Sequence, residues 1–222
     1  MKLALIGSGK TGSQILQLTK EVKEIFNSQN PVTLEALQSC DSAIIFVNAH
    51  VLQKMFPILI EARKPLIIGT TGMDWNDELK NKIEAAGITC IYSSNFSLGM
   101  NLIKVALENF SKLFNLLENP QVSLSETHHI KKIDKPSGTA LAWKKWLGRE
   151  VAIESIREGD AKGLHNLEIK TEFEKITLSH ETLNRALFAK GALWACQFLQ
   201  ENQLPPGLYD FQNLISQHFL GE

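Results

Sequence analysis

Directly after its first apolar run, Lys2–Ile6, the chain enters Gly7-Ser8-Gly9-Lys10-Thr11-Gly12, and a helical period follows from Thr11 to Lys20. This is G-x-G-x-x-G placed between a strand and a helix. The spacing suits a turn too tight for side chains, a backbone that approaches a pyrophosphate, and a helix packed close on its strand. The N–H groups at the helix start then face phosphate. Gly9-Lys10-Thr11 also ends like a P-loop, but that loop needs a glycine where Ala4 stands, inside the strand. A dinucleotide is therefore the expected ligand rather than a transferred phosphoryl group.

The chain continues in the rhythm this turn demands. Strands are expected at 22–26, 43–47, 65–68 and 88–92, and helices at 33–38, 51–63 and 75–86. The run Ala43–Val47 is apolar throughout, as a parallel strand buried on both faces should be. Strands alternating with helices predict a doubly wound parallel sheet. The rhythm breaks after Phe96. A long helix is expected over 98–117 and alternating, half-buried strands at 121–127, 164–171 and 173–180. A further helix is expected over 186–199. The fold class expected is thus α/β: an N-terminal Rossmann-type parallel sheet plus a smaller α/β domain with an open mixed sheet. Residues 1–97 form the dinucleotide-binding domain, with 186–222 returning to it, and 98–185 form a substrate-binding and oligomerisation domain.

Composition narrows the partners. Twenty-three basic against 24 acidic residues in 222 provide no general basic field, so nucleic acid and acidic membrane are not expected partners. No apolar stretch approaches a membrane span. Cys40, Cys90 and Cys196 are odd in number and widely spaced, which argues against a disulfide framework and for a cytoplasmic address.

The end of the second strand should hold the group that selects the adenosine ribose. The chain has Asn27 there, where an NAD-preferring fold carries a carboxylate. Asn27 would not repel a 2′-phosphate, and Lys10 could reach one, so the cofactor expected is NADPH or NADH, leaning to the former.

The densest chemistry lies between Glu126 and Ala140, Glu-Thr-His-His-Ile-Lys-Lys-Ile-Asp-Lys-Pro-Ser-Gly-Thr-Ala. Pro136 and the small residues after it read as a helix start, whose Gly138 and Thr139 N–H groups would donate to a carboxylate. Three readings compete here. One is a solvated basic loop. A second is a metal site through His128 and His129, completed by His165 or His180; neighbouring strand residues face opposite ways, and no metal-ligand spacing supports it. The third is a proton-donating site for an anionic substrate, since histidine titrates near neutrality and a lysine among cations is easily deprotonated.

This stretch resembles, at every fixed position, the E-x-H-H-x-x-K-x-D-x-P-S-G-T-A of the 4-hydroxy-tetrahydrodipicolinate reductase (dihydrodipicolinate reductase) family. Shorter stretches are similar in order along the chain: Gly69-Thr70-Thr71-Gly72, Asn95–Asn101, Ile156–Gly159, Gly163-Leu164-His165, Ser179-His180-Glu181, and Arg185 with Phe188–Ala192. The resemblance implies His128 as general acid/base, Lys132 as proton donor, and His129, Ser137, Gly138 and Thr139 as substrate contacts, with no metal. It implies a cofactor lined by Gly7, Ser8, Gly9, Lys10, Thr11 and Gly12, by Gly69, Thr70 and Thr71, and by Ser93, Ser94, Asn95 and Phe96. The implied reaction is NAD(P)H-dependent reduction of a cyclic dicarboxylate to tetrahydrodipicolinate with loss of water, in the diaminopimelate route to lysine, by a homotetramer. Two features depart from the family pattern. The third-strand end, Phe46–His50, lacks the usual acidic and hydroxyl residues, and the chain between Glu158 and His165 is short. The alternative from another class is a Rossmann protein that senses NADP(H) without turnover.

Overall fold

The computed structural model describes residues 1–221 and divides into two compact units, Met1–Ser97 together with the chain from Arg185 onward, and Leu98–Asn184. In the first unit, β1 (Leu3–Ile6), β2 (Val22–Phe26), β3 (Ser42–Ile45), β4 (Leu66–Ile68), β5 (Thr89–Tyr92) and β10 (Gly207–Asp210) form one sheet, ordered β10-β5-β4-β3-β1-β2. All five pairings are parallel. The connections are α1 (Gly12–Leu18), α2 (Leu34–Gln38), α3 (Ala49–Ala62) and α4 (Asp77–Ala85), with α7 (Ala186–Glu201) and α8 (Phe211–Leu220) from the C-terminal return.

Strand alternation explains why short apolar runs suffice. Ala4 and Ile6 of β1 pack with Leu37, Leu52 and Leu59 on one face, while Leu3 and Leu5 pack with Ile15, Ala192 and Phe211 on the other. Every β1 side chain is at most 2% exposed, so no polar residue is tolerated before Gly7. On the second face α7 lies close because its contact residues are small. A Cβ on Gly191 would fall 1.7 Å from the Phe96 carbonyl oxygen.

The second unit contains α5 (Leu98–Leu113), a 3-10 turn (Phe114–Leu116), β6 (Gln121–His128), α6 (Gly138–Leu147), β7 (Ile153–Arg157), β8 (Leu164–Lys170) and β9 (Lys175–Glu181). Its sheet runs β7-β6-β8-β9 and is mixed, β6–β7 parallel and the other pairs antiparallel. Leu124, Leu167 and Ile169 face Leu107, Trp143 and Leu147 of the helices. The opposite face carries Ser123, Ser125, Thr127, Asn166, Thr177 and Ser179, which are half-buried or exposed.

Several elements differ from expectation. The long helix stops at Leu113 and tightens into the 3-10 turn. The third strand ends at Ile45 rather than at Val47, because Asn48 caps α3 by accepting the Val51 N–H. The last strand starts at Lys175, after a turn in which the Thr171 hydroxyl accepts the N–H groups of Phe173 and Glu174. Strands β7 and β10 and helix α8 had no expected counterpart. Among the described residues, no helix is long and apolar enough to cross a membrane.

Candidate active site

In the first unit the strand order reverses at β1/β3, and ligands of open parallel sheets bind beyond the carboxyl ends of strands at such a point. The glycine turn sits there, and its three glycines differ physically. Gly7 has φ +98°, and a Cβ on it would lie 2.2 Å from the Phe46 carbonyl oxygen. A Cβ on Gly12 would lie 1.9 Å from the Gly7 carbonyl oxygen. Gly9 has no atom within 4 Å of that position, so its bareness leaves room for something other than protein. Next to the turn, a cavity of about 560 Å³ opens at the ends of β1, β2 and β3, lined by Gly7, Asn27, Ser28, Val32, Val47 and Lys54 among others. A backbone cradle beside an apolar cleft fits a dinucleotide.

The other expected cofactor residues surround the same strand ends or brace them. Ser8, Lys10 and Thr71 are surface residues, and Thr11 stands at the N-terminal boundary of α1. Gly69 lies against the Phe46 ring, where a Cβ would meet Cε1 at 2.1 Å. The buried Thr70 donates its hydroxyl to the Val47 carbonyl at 2.9 Å, tying β4 to β3. Ser93 Oγ donates to the Asn95 carbonyl at 2.9 Å and accepts the Asn95 N–H at 3.0 Å, while Ser94 stays exposed. The Phe96 side chain is core, 1% exposed against Phe211. Asn27 is committed locally: its Oδ1 accepts the N–H groups of Gln29 and Asn30, and its Nδ2 lies 3.5 Å from Ser8 Oγ.

In the second unit, strand alternation puts Glu126 and His128 on the helix-covered face of β6. Pairing registers then set Arg157 of β7 beside His128, and His165 of β8 beside Glu126. Glu126 has no exposed surface. Its Oε2 contacts His128 Nδ1, and its Oε1 receives Arg157 Nη1 at 2.9 Å and the Ser137 N–H at 3.3 Å. Burial pushes its carboxyl up, but Ser155, Arg157 and His128 outweigh this and hold it below the usual range. Burial likewise draws His128 down, with Lys132 and Arg157 adding to the effect and Glu126 opposing it.

Ser137 caps α6, its Oγ accepting the Ala140 N–H at 3.2 Å and lying 3.2 Å from His165 Nε2. Burial brings His165 down to about 4, so the ring is neutral, and it shares one hydrogen bond with the Ser137 hydroxyl whose direction follows the ring's tautomer. Gly138 is exposed with open space around it, and Thr139 is half-buried beside it. Lys132 Nζ lies 2.7 Å from Asp134 Oδ1. That ammonium, against slight desolvation, holds the Asp134 carboxyl below its usual range, helped by the N–H groups of Asp134 and Gly138. His129 is half-buried at the turn into this loop, its carbonyl accepting the Lys132 N–H at 3.0 Å.

Arg157, Gly163 and His165 lie in stretches that resemble the family, and His165 is a candidate metal ligand by sequence, but their roles beside His128 and Glu126 come from the folded sheet and are not expected from the sequence. Arg157 fastens the lysine loop, donating to the carbonyls of Lys132 at 3.3 Å and Asp134 at 2.5 Å. Gly163 has φ +135°, and a Cβ on it would stand 3.0 Å from His128 Nε2. Ligand atoms of Glu126, His128 and His165 lie within 4.8 Å of one another. The Arg157 guanidinium on Glu126 makes this a hydrogen-bonded cluster in which a cation already holds the carboxylate.

Comparison with known proteins agrees with this architecture. The description "Dihydrodipicolinate reductase, N-terminus" matches residues 24–96, and "Dihydrodipicolinate reductase, C-terminus" matches 99–215. The chain is 32% identical to the 4-hydroxy-tetrahydrodipicolinate reductases of Rickettsia rickettsii and Rickettsia conorii, over 96% of its length and 98% of theirs. Among solved structures it superposes on a dipicolinate-bound dihydrodipicolinate reductase from Paenisporosarcina sp. TG-14 with a TM-score of 0.77, at 19% identity, over 96% of this chain and 99% of that one. An aspartate semialdehyde dehydrogenase II from Vibrio cholerae follows at a TM-score of 0.56 and 12% identity, covering 91% and 99%. With both halves matched and a third of its residues shared with full-length relatives, the chain belongs to the dihydrodipicolinate reductase family.

Proposed function

We propose that the protein reduces 4-hydroxy-tetrahydrodipicolinate to tetrahydrodipicolinate, with loss of water, in the diaminopimelate route to lysine. The observation that carries this is the buried Glu126–His128 pair on the unit that also presents Lys132 and the open start of α6. A protein that only sensed a dinucleotide would have no use for that pair. The related reductase solved with dipicolinate bound supports a planar dicarboxylate as the ligand class.

NADPH or NADH, when bound, supplies the hydride. The chain's own groups do the rest. In the first unit the turns at 7–12, 69–71 and 93–96 and the Asn27 region form the dinucleotide seat. No carboxylate stands in that seat at the end of β2, and Lys10 and Lys54 are both exposed, so a 2′-phosphate is accepted and both cofactors serve.

In the second unit Gly138 and Thr139 donate backbone N–H groups to one substrate carboxylate, with the helix dipole behind them. The Asp134 carboxylate already shares Lys132 and the Gly138 N–H, which supports a carboxylate at this point. His129 and the Ser137 cap complete the seat. When hydride reaches one carbon of the conjugated C=N/C=C system, electron density moves to its neighbour, which takes a proton. Lys132 supplies that proton and attracts the dianion, and His128 exchanges protons through Nε2. We further place the enzyme in the cytoplasm, where its three buried thiols stay reduced, and assemble it as a homotetramer through the open face of the second sheet.

The test is turnover. Purified protein given freshly made synthase product should oxidise NADPH, NADH or both. Folded protein that consumes neither overturns the reading.

A further inference from the structure

We infer that Glu126 is a positioning residue that fixes the ring and the tautomer of His128 and couples that ring to the lysine loop and to the start of α6. The inference rests on the reductase reading, in which His128 exchanges a proton with substrate.

The geometry leaves little else for Glu126 to do. A fully buried carboxylate is costly unless its oxygens are satisfied, and three of its partners, His128, Arg157 and the Ser137 N–H, belong to the site. Oε2 faces His128 Nδ1. An ionised carboxylate only accepts, so the Nδ1 side of a neutral His128 carries the hydrogen and the lone pair is left on Nε2. The opposite end of the ring is kept open. Gly163 stands there, and any Cβ would come within 3.0 Å of Nε2. Among the described residues no protein group hydrogen-bonds to Nε2. The ring is thus gripped at one nitrogen and offered at the other, the arrangement by which a carboxylate orients an acid/base histidine.

Through Oε1 the same residue reaches two further parts of the site. Arg157 Nη1 meets it at 2.9 Å, and the other guanidinium nitrogens hold the carbonyls of Lys132 and Asp134. The Ser137 N–H meets it at 3.3 Å, one residue before the Gly138 and Thr139 donors. One carboxylate therefore sets the relative position of the imidazole, the ammonium loop and the anion-binding helix start. The charged and titratable groups facing His128 are Glu126 on its own strand, Arg157 on β7, His165 on β8 with its ring centroid 5.2 Å away, and Lys132 in the loop. Glu126 supplies the negative charge among them.

Glu126→Gln keeps the shape but removes the charge, and its amide can donate or accept, so neither tautomer is enforced. In that variant kcat should fall at least about 10-fold, while the KM for cofactor, which binds in the other unit, stays within about twofold. The acid limb of the kcat–pH profile should move to lower pH, because an imidazole deprived of its carboxylate binds a proton less tightly. Glu126→Asp should recover part of the rate. A readout independent of turnover is the nitrogen NMR spectrum of His128: the unaltered protein should show an Nδ1–H tautomer, and Glu126→Gln a mixture or the Nε2–H form. An Nε2–H tautomer in the unaltered protein overturns the inference without needing any variant to fold. So does a Glu126→Gln enzyme with unchanged kcat and pH profile. Absence of turnover in the unaltered protein would instead strike the reductase reading and leave the tautomer measurement standing.

Discussion

Glu126, His128 and His165 have their proton affinities set by burial and by one another, and with Lys132 beside them the site is testable residue by residue. Lys132→Ala and His128→Ala should each lower kcat by about 10²- to 10⁴-fold, the usual worth of a positioned acid or base. Cofactor affinity measured by calorimetry should be unchanged, because the dinucleotide seat lies in the other unit. Loss of cofactor binding would assign the cluster to structure instead. His165 makes a separate claim about stability. Its pKa is about 4 in the fold against an ordinary 6.5, so as pH falls the unfolded chain takes up this proton first. Nothing is lost above pH 6.5; between there and about pH 4 the fold forfeits up to ~3 kcal/mol. His165→Gln lacks this linkage. Although weaker at neutral pH for want of its bond to Ser137, it should lose less Tm between pH 7 and pH 4.5 than the unaltered protein does. Equal losses would mean that the ring is not held neutral by burial.

Elements carry a different kind of information, and here glycines separate folding from binding. Gly191→Ala drives a Cβ into the Phe96 carbonyl oxygen, which neither backbone can yield cheaply, so α7 must shift off the sheet at a cost of about 1–3 kcal/mol, read as a fall in Tm. Gly9→Ala meets no protein atom and should leave Tm within about 2 °C, yet weaken NADPH binding, because the methyl enters the space kept for the ligand. If Gly9→Ala binds NADPH normally, the turn is structural only. The same elements show what was readable in advance. β1, β3 and β4 declare themselves as apolar runs because both of their faces are covered, and β6 as an alternating run because one face is wet. β10 is four residues after two prolines, and β7, Ile153–Arg157, carries charges on a short edge strand, so neither has enough periodicity to stand out. The candidate site divides likewise. The stretch from Glu126 to Ala140 is contiguous and therefore legible. Arg157, Gly163 and His165 reach it only through strand pairing, which is a property of the folded sheet and leaves no spacing in the chain.

At the scale of the whole molecule, the proposed tetramer would form through what remains exposed on the second sheet. The face away from α5 and α6 has Ser125 of β6 opposite Asn166 of β8, and Asn166 opposite Ser179 of β9, an uncharged stretch that ends at Glu154 on the edge strand β7. Charges stand toward the rim, where Lys175 pairs with Glu168 at 2.8 Å. A weakly polar centre with charged edges would suit a surface that packs against its own copy, since an isologous contact sets each central residue near its symmetry mate. That geometry doubles any charge placed there. In a two-fold contact through this face Asn166→Arg would bring two guanidinium groups together, with the acidic residue of the row, Glu154, two strands away at its edge, whereas in a monomer the same side chain would point into water at little cost. We expect light scattering to show the unaltered protein as a tetramer and the variant as a smaller species, with circular dichroism unchanged. A variant that remains tetrameric would move the subunit contact off this sheet, and an unaltered protein that is monomeric would mean that the second domain of this chain, short between Glu158 and His165, no longer assembles at all.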